Sequence, residues 1–200
     1  MSSLHLYQFQ SLCLDPIDLT VEPGECVTLA GPSGCGKSLL LRAIADLDPH
    51  EGDAAIDDRR QSEIRAHEWR SQVGLLPAES HWWADLVRDH LPSSEPPHLQ
   101  ELGFGTDSLG WSIARLSSGE KQRLALIRLL AGQPGALLLD EPTANLDQDT
   151  GQRVEALIDA YRREKGAPVI WVSHDPEQRK RVSDRAFLIE NRTLRSEAWN

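Results

Sequence analysis

Short apolar segments alternate with longer stretches of helical spacing along this chain, and their order predicts the fold. "LHLYQF" (4–9) and "IDLTV" (17–21) alternate apolar and polar positions, the period of a half-buried strand. Beyond the turn "EPGE", the runs "CVTLA" (26–30), "QVGLLP" (72–77, closed by Pro77), "ALLLD" (136–140) and "PVIWVS" (168–173) are nearly unbroken in apolar residues. Such runs predict strands covered on both faces. "AAID" (54–57) is a further strand candidate, and "AFLIE" and "TLRSE" close the chain around the turn-like "NR".

Helical spacing fills the intervals. "KSLLLRAIADL" stops before "DPHEG", "GEKQRLALIRLLAG" has Gly132 placed to end it, and "DTGQRVEALIDAYRREKG" precedes the "PVIWVS" strand. Residues 80–118 break the regularity. There "DLVRDHL" and "LQELGF" predict short helices on either side of the proline-rich "PSSEPPH". The expected fold is α/β: a mostly parallel sheet with flanking helices, an N-terminal antiparallel β portion and a small, mainly helical insert at about 80–118. Residues 1–200 are expected to form one domain, with no internal repeat.

Composition narrows the function. The formal net charge of −10 argues against general nucleic-acid affinity, which needs a positive face to displace counterions. The start has no basic leader region, and no apolar run approaches a membrane span. Cys13, Cys26 and Cys35 have neither metal-type nor framework spacing, which points to a reducing compartment. A cytoplasmic location is expected, and any membrane path would belong to another polypeptide.

The chemistry starts at "GPSGCGKS", which fits G-x-x-x-x-G-K-[ST] between a strand and a helix. Gly31, Gly34 and Gly36 allow a tight turn in which successive N–H groups of Gly31, Pro32, Ser33, Gly34, Cys35 and Gly36 (proline excepted) point at phosphate oxygens. The helix that follows adds the positive end of its dipole. Lys37 is suited to neutralise the outer phosphates and Ser38 to offer its hydroxyl to Mg²⁺. "ALLLDEP" then delivers Asp140 and Glu141 to the C-terminal end of a buried strand, where open α/β sheets bind ligands. Asp140 suits Mg²⁺, and Glu141, one residue further out, suits a group that polarises attacking water. In "LSSGEKQR", Ser117, Ser118 and Gly119 open a second helix whose N-terminus can take an anion. One triphosphate needs only one phosphate loop, so this second helix start calls for an explanation.

These motifs together resemble the nucleotide-binding subunit of ATP-binding cassette (ABC) transporters, over essentially the whole chain. The phosphate loop matches Walker A, "LSSGE" resembles the signature LSGGQ with Ser118 and Glu120 as departures, "LLLDEPTANLD" matches Walker B and the D-loop ending at Asp147, and "VSHD" gives the H-loop His174. The resemblance implies a P-loop NTPase fold, ATP and Mg²⁺ as cofactors, and two cassettes stacked head to tail. Ser117 and Gly119 of one copy would then meet the γ-phosphate held by Lys37 of the other, with Asp147 and Ser118 beside it. It further implies Glu141 and His174 as the hydrolytic pair, a second and identical cassette as partner, and an integral membrane permease encoded separately.

Three departures accompany it. Ala78 stands where the family's Q-loop glutamine lies, with Glu79 one residue away as the candidate replacement at the metal. The stretch between that point and the signature is short. Tyr7 and Phe9 lie near the family's adenine-stacking aromatic without aligning to it. Trp82 and Trp83 suit either core aromatics or anchors at a partner interface. Besides a transporter ATPase, two readings stay open: a soluble cassette ATPase acting on a macromolecule in DNA repair or assembly, and a nucleotide-responsive regulatory module.

Overall fold

The computed structural model describes residues 2–198. Strands β1 (Leu4–Ser11), β2 (Ile17–Val21), β4 (His50–Ile56) and β5 (Arg59–Arg60) make an antiparallel sheet in the order β2-β1-β4-β5. A second sheet orders β10 (Thr193–Glu197), β9 (Arg185–Glu190), β3 (Cys26–Ala30), β8 (Val169–Val172), β7 (Ala136–Asp140) and β6 (Val73–Leu76), with every neighbouring pair parallel except β9 and β10. The helices are α1 (Lys37–Ile44), α2 (Ala66–Gln72), α3 (Ser118–Ala131), α4 (Gln148–Lys165) and α5 (Pro176–Val182).

The central strands are buried on both faces because their alternate residues belong to different cores. Leu138, Ile170 and Val172 join Leu4, Phe9, Leu40, Ile44 and Trp69 between the two sheets and α1. Leu137, Leu139, Val169 and Trp171 point the other way, onto Leu124, Ile127, Val154 and Ile158 of α3 and α4. A period of two thus feeds two hydrophobic layers from one strand, which is why these runs are apolar without alternation.

Two segments differ from the sequence pattern. Helix α2 has no predictor, since "AHEWRSQ" is polar apart from Trp69. It is held by that one side chain, fully buried, whose indole N–H donates to the Ile44 carbonyl at 2.7 Å. The insert, in turn, is helical only as single 3₁₀ turns at Val87–His90, Thr106–Gly110 and Ile113–Arg115. "LQELGF" forms turns, with Leu102 N–H on the His98 carbonyl and Phe104 N–H on that of Leu99. Pro92, Pro96, Pro97, Gly103, Gly105 and Gly110 leave no stretch long enough for an α-helix to propagate beyond its costly nucleus. Among the described residues, no helix is long and apolar enough to cross a membrane.

Candidate active site

The loop between β3 and α1 is shaped by two close approaches. Gly31 has φ 150°, and a Cβ there would lie 2.6 Å from the Ile189 carbonyl oxygen of β9. Gly36, which caps α1 with φ 102°, would place a Cβ 2.6 Å from that of Cys13. Lys37 is only 6% exposed and folds back across the loop, donating to the carbonyls of Gly31 at 2.9 Å and Pro32 at 3.0 Å. Its ammonium group therefore stands over the turn itself.

Strand β7 runs out at Asp140, whose side chain is buried and engaged by no hydrogen-bond donor among the described residues. The next residue, Glu141, adopts φ 49°. For a bulky side chain this left-handed conformation costs about 1–3 kcal/mol and is found chiefly where function fixes it. Its N–H donates to the Val172 carbonyl at 3.1 Å, tying the end of β7 to the end of β8. His174, two residues past β8, brings Nε2 to 3.1 Å from Glu141 Oε1. A cavity of about 200 Å³ is lined by Ser33, Gly34, Lys37, Ser38, Glu141 and His174. Residues distant in sequence thus meet at one opening, beneath the C-terminal ends of parallel strands.

The signature segment lies apart. Ser117 caps α3 in a full capping box, its Oγ accepting from Glu120 N–H at 3.2 Å while Glu120 Oε2 accepts from the Ser117 N–H at 2.8 Å and hydroxyl at 2.9 Å. These bonds, led by the backbone N–H, hold the Glu120 carboxyl below the usual glutamate range. Gly119 packs on the Asn145 carbonyl, where a Cβ would come within 2.9 Å. None of Ser117, Ser118 and Gly119 lines the Lys37 cavity. Asp147 caps α4, accepting from Thr150 N–H at 3.0 Å, and that bond lowers its pKa.

The altered Q-loop is exposed at Ala78 and Glu79, and the structure does not bring Glu79 to the cavity. The two tryptophans differ in exposure. Trp82 packs partly buried against the α3–α4 core, whereas Trp83 is 71% exposed. Arg128 sits over both rings, 4.7 and 5.0 Å from their centroids. Phe9 is fully buried and Tyr7 stacks on His5 beneath Arg60, so both rings are occupied within the β1 sheet. Thr143 and Ser173 lie within the "LLLDEPTANLD" and "VSHD" segments and Gln178 four residues past His174, and the three hydrogen-bond together beside Glu141 and His174 with no role assigned to them from sequence. Their adjacency to the two motifs is the only signal that points to them.

Fold and cavity define the class: an α/β P-loop nucleotidase whose phosphate loop, acidic strand end and strand-following histidine share one opening. The family described as ABC transporter matches residues 14–144. The aliphatic sulfonates import ATP-binding protein SsuB 2 of Paracoccus denitrificans is 37% identical over 182 residues, covering 88% of this chain and 71% of that protein. The probable iron export ATP-binding protein FetA of Escherichia coli is 34% identical over 178 residues, covering 82% and 79%. A dimeric post-hydrolysis structure of the ATP-binding cassette MJ0796, bound to ADP and Pi, superposes with a TM-score of 0.83 at 24% identity over 100% of this chain and 99% of that one, a likeness that shows the fold. The chain belongs to the ABC transporter family. It is an ATP-binding, ATP-hydrolysing cassette of that family, the subunit type that serves importers and exporters alike.

Proposed function

We propose that this cassette hydrolyses ATP at a composite site between two identical copies and so drives a separately encoded membrane permease from the cytoplasmic side. The observation that carries this is the meeting of Lys37, Ser38, Glu141 and His174 on one cavity, with Glu141 and His174 3.1 Å apart. Lys37 neutralises the outer phosphates, and amides of Gly31 to Gly36 cradle them. Glu141 orients the attacking water as a general base. His174 holds that carboxylate and the γ-phosphate in a single geometry.

The donors suit magnesium. Ser38 and the undonated, buried Asp140 are hard oxygen ligands, and no cluster of three or more His, Cys, Asp or Glu suited to a metal occurs among the described residues. That pattern fits Mg²⁺, which relies on one or two side chains plus substrate phosphates rather than an all-protein cage. When bound, Mg²⁺ supplies charge neutralisation at the phosphates. Glu79, exposed and outside the cavity, is proposed to reach the metal only on closure of the two copies.

Because Ser117 to Gly119 lie off their own cavity, their helix start is free to complete the cavity of a second copy. The pairing is isologous, the usual closed arrangement for identical subunits. Glu120 bears on it directly, since its carboxylate accepts the Ser117 hydroxyl hydrogen bond that a γ-phosphate would otherwise receive. Glu120→Gln keeps the capping box and removes that charge. In sedimentation velocity it is expected to tighten the ATP-bound dimer by about fivefold at low salt, with a smaller gain at high salt. The same variant removes a titration. A carboxyl held low in the folded state stabilises it above the unfolded pKa and loses that contribution as pH falls through the folded value, so the acid-side decline in Tm is shallower in Glu120→Gln.

The permease is tested by tagging the chain in its native cells and isolating it from detergent-solubilised membranes. A multi-span membrane protein is expected in stoichiometric amount. Recovery wholly from the soluble fraction, free or on a nucleic-acid or assembly complex, overturns the transport function.

A further inference from the structure

The strands carrying Glu141 and His174 pair with each other as far as Asp140 and Val172, with one further bond from Glu141 N–H to the Val172 carbonyl. Beyond that point the Glu141 segment leaves the sheet, while the His174 segment keeps one bond more, from Ser173 N–H to the Leu29 carbonyl of β3 at 3.3 Å. The Glu141–His174 contact joins side chains that are 31% and 50% exposed, and so exposed a polar contact holds little geometry by itself. Something else must fix the two segments against each other.

Beside them, on a second cavity that Glu141 and His174 also line, lies the side-chain amide of Gln178, only 6% exposed. Its Oε1 accepts from the Ser173 hydroxyl at 2.8 Å, while its Nε2 donates to Thr143 Oγ1 at 2.7 Å and to Glu155 Oε1 at 2.8 Å. Ser173 Oγ also accepts from Asp175 N–H at 3.1 Å, so the residues on either side of His174 are both tied to this amide. Thr143 lies two residues past Glu141. Glu155, from α4, is anchored by Arg181 through two bonds of 2.8 Å. The carboxylate of Glu155 only accepts, which settles that the NH₂ end of Gln178 faces it.

We infer that Gln178 is a positioning residue: it locks the Thr143 and Ser173–Asp175 segments together and thereby holds Glu141 and His174 in hydrolytic register. This rests on those two residues being the hydrolytic pair. Gln178 does not line the Lys37 cavity, so it acts on turnover and not on nucleotide binding. A satisfied buried network of this kind specifies one geometry, and a half-satisfied one does not.

The test uses steady-state ATP hydrolysis by the full chain. Gln178→Leu removes all three bonds while filling the space; kcat is expected to fall about 30-fold with KM for ATP within about threefold of wild type. Gln178→Glu sets a carboxylate against Glu155 and is expected to lose a similar factor through like-charge repulsion. Thr143→Val keeps the shape of the side chain and removes only the bond that joins the amide to the Glu141 segment. Its kcat is expected to fall about tenfold with KM for ATP within about threefold of wild type, a turnover-specific loss that a merely bulky or packing role does not produce. Glu141→Gln and His174→Ala serve as references. If both references lose turnover while Gln178→Leu keeps it, or if Thr143→Val turns over like wild type, the role of Gln178 is overturned. If the references themselves turn over normally, the hydrolytic pair is overturned and the role of Gln178 with it.

Discussion

Glu141→Gln is expected to lower ATP turnover about a thousandfold while leaving ATP binding within a few-fold of wild type. The exchange is close to isosteric, so the shape of the cavity and the φ 49° backbone persist. The amide oxygen can still accept from His174 Nε2 at the 3.1 Å separation, so the partner stays in place. What is lost is the carboxylate's ability to attract a proton from water. Because Lys37 and the loop amides are untouched, ATP remains bound and unhydrolysed, and two copies stay closed around it. Size-exclusion chromatography with ATP and Mg²⁺ should show a stable dimer of the variant and a transient one of wild type. Turnover within threefold of wild type would remove Glu141 from the reaction. A variant that binds ATP but stays monomeric would remove the composite site instead.

The parts of this arrangement that were legible from sequence are those where backbone geometry dictates residue type. Gly31 and Gly36 are glycines because a Cβ at either would collide at 2.6 Å with Ile189 or Cys13. Strands β7 and β8 are continuous apolar runs because each serves two cores. Gly166 ends α4 with φ 63°, the left-handed C-terminal turn that its place after "RREK" announces. Long-range contacts were illegible. Trp69 gives α2 its stability from across the chain, through a carbonyl 25 residues away, and no local period records that. The insert shows the converse: helical composition at 85–104 comes to nothing but turns, since prolines and glycines cut it below the length at which propensity prevails. At the site, the motifs named Glu141 and His174 but not the amide beside them. Gln178 is one polar residue on a helix whose neighbours "EQRKR" are also polar, and only the fold reveals that it points inward.

Charge sets a second large effect, which falls on Lys37. With a formal net charge of −10, the protein as a whole repels a nucleotide triphosphate. Attraction must therefore be local, and the formal charges lining the cavity are one lysine and one carboxylate, Glu141. Removing the ammonium group leaves the cavity with a net negative formal charge and deletes the charge-assisted hydrogen bonds to the phosphates. Each such bond contributes about 1.5–3 kcal/mol, so Lys37→Ala is expected to weaken ATP binding by at least about a hundredfold, measured by isothermal titration calorimetry. The fold should survive. The bonds from Nζ to Gly31 and Pro32 end on carbonyls of a loop open to solvent at Pro32 and Ser33, where water can replace the donor. Thermal unfolding without nucleotide should therefore shift by only a few degrees, while the stabilisation that ATP confers on wild type disappears, as linkage requires when affinity is lost. Retention of that ATP-dependent shift in Lys37→Ala would mean that the triphosphate is gripped elsewhere, and that the Gly31–Ser38 loop is not the site of nucleotide binding.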